Sequence, residues 1–187
     1  MDNRCKWVNI NNELYTKYHD EEWGVPVHND IKLFEMITLE GAQAGLSWET
    51  ILKKRENYRF AFDGYNLGKI SKYDESQIQD LMTNQGIIKN RLKIKSVINN
   101  AKAFIAIQNE YGSFDLYLWN FIGNKQIKNN LSAIDKIPVK TDLSDQISKD
   151  LKQRGMSFVG STIIYAFMQA VGMVNDHTIN CFRFNEI

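Results

Sequence analysis

Gly155-Met156-Ser157-Phe158-Val159-Gly160-Ser161-Thr162 separates two helical patterns of opposite character. Before it, Asp142 to Arg154 reads as an amphipathic helix stopped by Gly155. After it, Ile163, Ile164, Tyr165, Ala166, Phe167, Met168, Ala170 and Val171 make Ser161 to Val171 apolar on nearly every side. A helix apolar all round is a buried one. The tract is therefore helix, short hairpin, core helix. A hairpin feeding a helix N-terminus can offer backbone N–H groups to a phosphate, although two glycines between helices also describe an ordinary turn.

The pattern outward from this tract is helical as well. Leu33, Met36, Ile37 and Ala44 recur at three- and four-residue spacing and draw one apolar face over Asp30 to Ala44. Ser47 is a candidate N-cap for a helix running through Lys54 into Tyr58. Asp74 and Gln77 form a capping-box pattern for Glu75 to Met82. Further helices are expected over Glu13 to Asp20, Asn90 to Tyr111 with Gly112 at its end, and Asp115 to Phe121. Gly123 to Lys140 is the longest polar connection, and alternating strands are not evident. The expected class is all-α. With 187 residues, 43% of them hydrophobic, and no linker or repeat, a single domain over residues 1–187 is the simplest organisation.

A net charge of +1 announces no nucleic-acid partner but leaves room for a local basic strip, and Lys89-Asn90-Arg91-Leu92-Lys93-Ile94-Lys95 is a candidate. No apolar run reaches the roughly 20 residues needed to span a bilayer. Met1-Asp2-Asn3-Arg4-Cys5 lacks the apolar core of a secretory signal, so a cytoplasmic protein without membrane partners is expected.

Four residues have metal-ligand chemistry. His177 and Cys181 stand four apart, which on one helical turn points both side chains the same way. Cys5 and His19 stand 14 apart near the other end. Two sulfurs and two imidazoles make a full tetrahedral set for zinc with no position left for water. A Cys5–Cys181 disulfide, or four unconnected core residues, would satisfy the same spacing. His28, in a loop after Pro26 and Val27, reads as a solvated surface residue.

Glu40 continues the Leu33–Ile37 face. Most glutamates on helices are solvated, but a carboxylate on the buried face is costly without a partner. Gly41 and Gly45 beside it suggest close approach to the backbone. Tyr15, Tyr18, Trp23 and Trp48 gather around this point in the sequence. Core packing explains such aromatics in most proteins. A flat heteroaromatic ligand would need the same parts, rings to stack on and a carboxylate to accept from an amino group.

The chain resembles the 3-methyladenine DNA glycosylase I family of the helix-hairpin-helix superfamily of base-excision enzymes. The likeness runs through Cys5-Lys6-Trp7, Tyr15 to Pro26, Leu39-Glu40-Gly41-Ala42-Gln43-Ala44-Gly45-Leu46-Ser47-Trp48, Lys53 to Arg59, Gly86-Ile87-Ile88, Phe158-Val159-Gly160 and Met173 to His177. It implies a helix-hairpin-helix glycosylase fold with one structural Zn2+ held by Cys5, His19, His177 and Cys181, joining the two ends of the chain. It implies hydrolysis of the N-glycosidic bond of 3-methyladenine in alkylated double-stranded DNA by a monomer. Glu40 would be the catalytic residue, and Tyr15, Tyr18 and Trp48 would hold the base, the last two by stacking. Gly45 and Leu46 would lie at the DNA gap, with Leu46 filling the space of the flipped nucleotide. Phe158, Val159 and Gly160, within Met156 to Gly160, would grip the DNA backbone. No lysine stands in the helix after the hairpin, so no lyase step is expected.

Related enzymes carry a catalytic aspartate in a Val-Asp-Thr-His-like segment, where this chain has Val174-Asn175-Asp176-His177. Aligning the histidines puts Asn175 at the aspartate position, and Asp176 is then expected to be structural. A base already cationic from N3 methylation leaves as a neutral molecule, so a strong acid is not required. A non-catalytic damage reader and a zinc hydrolase are the competing readings. The Glu40–aromatic set argues against the first, and the saturated ligand set against the second.

Overall fold

In the computed structural model, residues 3–133 and 136–187 are described; Met1, Asp2 and two residues of the Gly123–Lys140 connection lie outside them. Side-chain caps set most of the helix starts. Asn12, Asn29, Ser47, Asn66, Asp74, Asn90, Ser113 and Thr141 each accept a backbone N–H of the following first turn. They open α1 (Glu13–Glu21), α2 (Asp30–Gln43), α3 (Trp48–Ala61), α4 (Leu67–Ile70), α5 (Glu75–Thr83), α6 (Arg91–Tyr111), α7 (Phe114–Asn120) and α8 (Asp142–Gln153). The expected capping box at Asp74 and Gln77 is present. Gly112 ends α6 with φ +90, a conformation for which glycine carries no steric penalty. The one α-helix without a side-chain cap among the described residues is α9 (Ser161–Ala170), which follows Gly160.

Two helices exchange their expected roles. From Leu33 to Ala42, α2 is buried on every side, because α3, α6, α7 and α9 all pack around it. It is the central helix, where the sequence pattern showed one apolar face. In contrast, α9 keeps an open side: Thr162 is exposed, and Ile163, Ala166 and Gln169 are half-buried along one edge. Its other side packs on α8 and α2. The buried apolar residues form one cluster that reaches from Cys5 to Cys181.

One short strand pair departs from the purely helical expectation. Ile127–Lys128 (β1) pairs in parallel with Val174–Asn175 (β2). The pair fastens the long polar connection to the segment that leads into His177. Gly172, at φ +71 just before β2, lies so close to Val25 and Pro26 that a Cβ would fall 2.3 Å from the Val25 carbonyl carbon. The stretch 24–27 is thereby laid against the end of α9, where Gly24 N–H donates to Gln169 O and Val27 N–H to Val171 O. No helix among the described residues is long and apolar enough to cross a membrane.

Candidate active site and metal centre

Cys5, His19, His177 and Cys181 come together, all buried, with their donor atoms within 4.8 Å of one another. Both cysteines are free thiols. Cys5 Sγ lies 3.5 Å from His177 Nδ1, and Cys181 Sγ lies 3.4 Å from the same nitrogen and 3.5 Å from His19 Nε2. A tetrahedral zinc with ordinary bond lengths requires S···N edges of about 3.6 Å. The outer ring nitrogens fix the tautomers. His19 Nδ1 is 2.7 Å from the Asp20 carboxylate, which Arg4 holds from its other side. His177 Nε2 donates to the Trp23 carbonyl at 3.0 Å. Both inward nitrogens are left with lone pairs facing the thiols, the arrangement of a histidine metal ligand with its supporting acceptor. The donor set therefore fits a tetrahedral metal ion.

The route to this cluster differs from the expected one. His177 and Cys181 do not share a helical turn. Asn175 Oδ1 accepts the His177 N–H, Ile179 N–H donates to Leu131 O, and Cys181 N–H turns back to Thr178 O. These bonds replace the helical ladder with a loop that still aims both side chains inward.

Beside the cluster opens a cavity of about 300 Å³, walled by Trp7, Tyr15, Tyr18, Trp23 and Trp48, with Glu40, Gln43, Ile137, Ala166 and Gln169 completing it. Three acids are buried among the described residues: Glu35, Glu40 and Asp176. Glu35 meets Arg55, Arg59 and Lys32. Asp176 accepts from Asn129, Tyr165 and Gln169. Glu40 has no hydrogen-bond or ion-pair partner among the described residues, and burial pushes its carboxyl up to about 8. Burial, and next the Glu40 carboxyl, raise the Tyr18 phenol well above its usual value, so it stays a donor. Indole N–H groups of Trp7 and Trp48, also on the cavity wall, are buried without an acceptor. A wall of aromatic side chains with one unpaired acid is built to meet a polar flat ligand.

Tyr18 and Trp48 are in contact, their ring centroids 5.2 Å apart and tilted by 50°. No base fits between them, so they form two walls of an angle and not a sandwich. Tyr15 meets Trp7 edge to face at 5.4 Å. Tyr18, Glu40 and Trp48 come from α1, α2 and α3, and a buried ion network ties these three helices together. Arg55 on α3 donates to Glu22 beyond α1 and to Glu35 on α2. Gln43, Ala166 and Gln169 were not singled out by the sequence. Gln43 shares the Glu40 face at i+3, the one signal that could have found it. The Gln169 amide is held by Asp176, an acceptor only, so its N–H points there and its carbonyl oxygen is the group left over.

A second cavity of about 210 Å³ continues from Glu40 and Gln43 toward Gly45, Leu46 and the first turn of α9. Gly45 adopts φ +78 with nothing within 4 Å of its Cβ position, so the glycine serves the turn and not a close approach. Gly41 does serve a close approach: a Cβ there would fall 3.3 Å from the Phe158 Cβ and carbonyl oxygen. Leu46 is 41% exposed, a large apolar side chain at the mouth. Across from it the hairpin bears Phe158, half-buried at φ +56, Val159, buried, and Gly160. No acceptor among the described residues takes the backbone N–H of any residue from 158 to 163. In the basic strip, Lys93 is turned inward, donating to Ala42 O and Ala44 O at the end of α2, and Arg91 pairs with Glu75.

Asn175 is fully buried and does not line either cavity. Its amide donates to Phe184 O and Ile187 O and accepts from His177 N–H. It braces the loop that carries His177 and Cys181. Asp176 is likewise saturated by its three donors, as a structural acid. His28 is more than half exposed and bonds Asp115.

A model of the methyladenine glycosylase family matches residues 7–184 of the chain. DNA-3-methyladenine glycosylase 1 of Escherichia coli (strain K12) is 46% identical over 178 residues, covering 95% of each chain. A crystal structure of a 3-methyladenine DNA glycosylase I (TAG) matches with a TM-score of 0.94 at 48% identity, over 96% of this chain and 98% of the other. A variant of such an enzyme in complex with 3-methyladenine matches with a TM-score of 0.93 at 33% identity, over 96% of each chain. With its helices, its aromatic cavity and nearly its whole length accounted for, the chain belongs to the methyladenine glycosylase family.

Proposed function

We propose that this protein is a monofunctional DNA-3-methyladenine glycosylase, excising the base from alkylated double-stranded DNA by hydrolysis of its N-glycosidic bond. The observation that carries the reading is Glu40, buried and unpaired at the wall of an aromatic cavity. A flipped, N3-methylated adenine is flat and cationic, and it offers amino hydrogens. The Tyr18 and Trp48 faces attract the cation, and Glu40 accepts from the amino group while matching its charge. Gln169 presents a second acceptor. Because the base departs neutral, bond cleavage toward an oxocarbenium ion needs little acid catalysis, and water completes the reaction at the sugar. The family's reaction in this chain thus rests on selective binding of a labile cation.

The DNA would lie across the second cavity. Leu46 fills the place of the flipped nucleotide, at a turn made possible by Gly45. The hairpin of Phe158, Val159 and Gly160 is read as the helix-hairpin-helix element. Its free amides, and the positive end of α9, would face a backbone phosphate. No lysine among the described residues lines either cavity, which supports reading the enzyme as monofunctional. The cysteine–histidine cluster would hold one structural zinc, whose four protein ligands leave no coordination position for catalysis. Its contribution would be to close the chain end to end. The working form is taken to be a monomer in the cytoplasm.

Chromatography of bases released from methylated DNA should show 3-methyladenine, and an inosine duplex should yield no hypoxanthine. Release of hypoxanthine would mean a strong catalytic group that the cavity does not display. Glu40→Gln should lower kcat/KM by about 1–3 kcal/mol in transition-state terms. In the parent protein kcat/KM should rise with pH up to about 8, as Glu40 gives up its proton, and the variant should lack this rise. Stability should move oppositely. The raised carboxyl favours the folded state below its ordinary value and loses that advantage as pH climbs through about 8. At pH 9 the variant should therefore melt several degrees above the parent, at roughly 2–4 °C per kcal/mol, and the gap should vanish near pH 4. A pH-independent gap would show that Glu40 is ionised throughout.

Metal analysis should find one zinc per chain, and Cys181→Ala should lose it together with thermal stability. Purified protein without zinc, its Cys5 and Cys181 joined to each other, would contradict the assignment.

A further inference from the structure

Asn100 lies in the middle of α6, far from either cavity mouth in sequence, and is only 3% exposed. Its Oδ1 accepts the Ser157 N–H at 2.9 Å, and its Nδ2 donates to the Ser157 carbonyl at 3.0 Å. One side-chain amide therefore pairs with both backbone groups of one hairpin residue, as a neighbouring strand would. The next residue, Phe158, stands at φ +56, a region that bulky side chains rarely adopt. Such a backbone persists where its surroundings over-determine it. Here they do: Ser148 Oγ donates to Val159 O at 2.6 Å from the other side, and Gly41 lets the Phe158 backbone and Cβ pack against α2. The strained residue sits between two side-chain clamps, and the six amides without acceptors begin at it.

We propose that Asn100 is a positioning residue for DNA binding: by clamping Ser157 it holds Phe158 in its left-handed conformation and keeps the amides of residues 158–163 aimed at one phosphate. The inference rests on the DNA reading of the hairpin given above. A residue this buried cannot touch DNA, so any effect of changing it acts through the hairpin. Asn100 is also absent from the lining of the aromatic cavity, so binding of a free base does not depend on it.

The test compares two affinities in folded, zinc-containing protein: one for a duplex carrying a tetrahydrofuran abasic site, the other for free 3-methyladenine. Asn100→Ala should weaken duplex binding roughly tenfold, the effect expected of two buried hydrogen bonds, and leave free-base affinity within about twofold. Asn100→Asp keeps the size and the bond from Ser157 N–H but faces the Ser157 carbonyl with an oxygen, and it should weaken duplex binding as well. Parent-like duplex affinity in both variants would overturn the proposal. So would an equal loss of both affinities, or failure of both variants to fold, since either would place Asn100 in the general core. Parent protein that does not bind the duplex would sink the DNA reading itself, and that outcome is visible before any variant is compared.

Discussion

The structure turns on a carboxyl group placed in its core without a partner. Desolvating a carboxylate is expensive, and proteins ordinarily answer the cost with a counter-charge or a set of donors. This chain does so at Glu35, with two arginines and a lysine, and at Asp176, with three neutral donors. At Glu40 it does not, and the group answers by holding its proton up to about pH 8. An arrangement that lowers stability and persists is explained by what enters the cavity. On the proposed reading, a cationic, amino-bearing ring would supply the missing counter-charge and the missing donor in one molecule.

The rest of the architecture can be understood as keeping that group buried and reachable. The Arg55 network locks α1, α2 and α3 at the spacing that brings Tyr18, Glu40 and Trp48 to one cavity. The cysteine–histidine cluster backs the aromatic wall directly: Trp23 stands 4.7 Å from the His177 ring, and Trp7 5.3 Å from that of His19. Asn175, Asp176 and the β1–β2 pair brace the loop that carries His177. At the mouth, Lys93 and Asn100 on α6 hold the end of α2 and the hairpin respectively, so one helix spaces the two elements proposed to face DNA.

Much of this was legible in the sequence, for local reasons. Helix starts are written in Asn, Asp, Ser and Thr at the caps, and the hairpin in its two glycines. The four residues of the cysteine–histidine cluster were found by type, although the geometry behind them was different: Asn175 and Leu131 bend the His177–Cys181 segment into a loop that no spacing rule describes. Glu40 was recognised from a periodic face, yet α2 is buried on all sides and α9 is the helix with an open edge. Burial of a whole helix depends on what packs around it, which periodicity does not report. The same limit hid Gln169, whose orientation is dictated by Asp176, and the inward turn of Lys93 within a basic strip. Asn175, placed by alignment at a catalytic position, proved to be a brace because its neighbours in space are the last residues of the chain. Asn100 carried no signal at all, since its partner lies 57 residues away.

The central claim is that Glu40 is an uncompensated acid reserved for a cation. The most direct measurement is a carbon-13 NMR titration of the Glu40 carboxyl, assigned by its absence in Glu40→Gln, in free protein and with a cationic methylated adenine bound. The account predicts a midpoint near 8 in the free protein that moves down when the cavity is filled. A midpoint close to the ordinary value of 4.5, indifferent to the ligand, would contradict it.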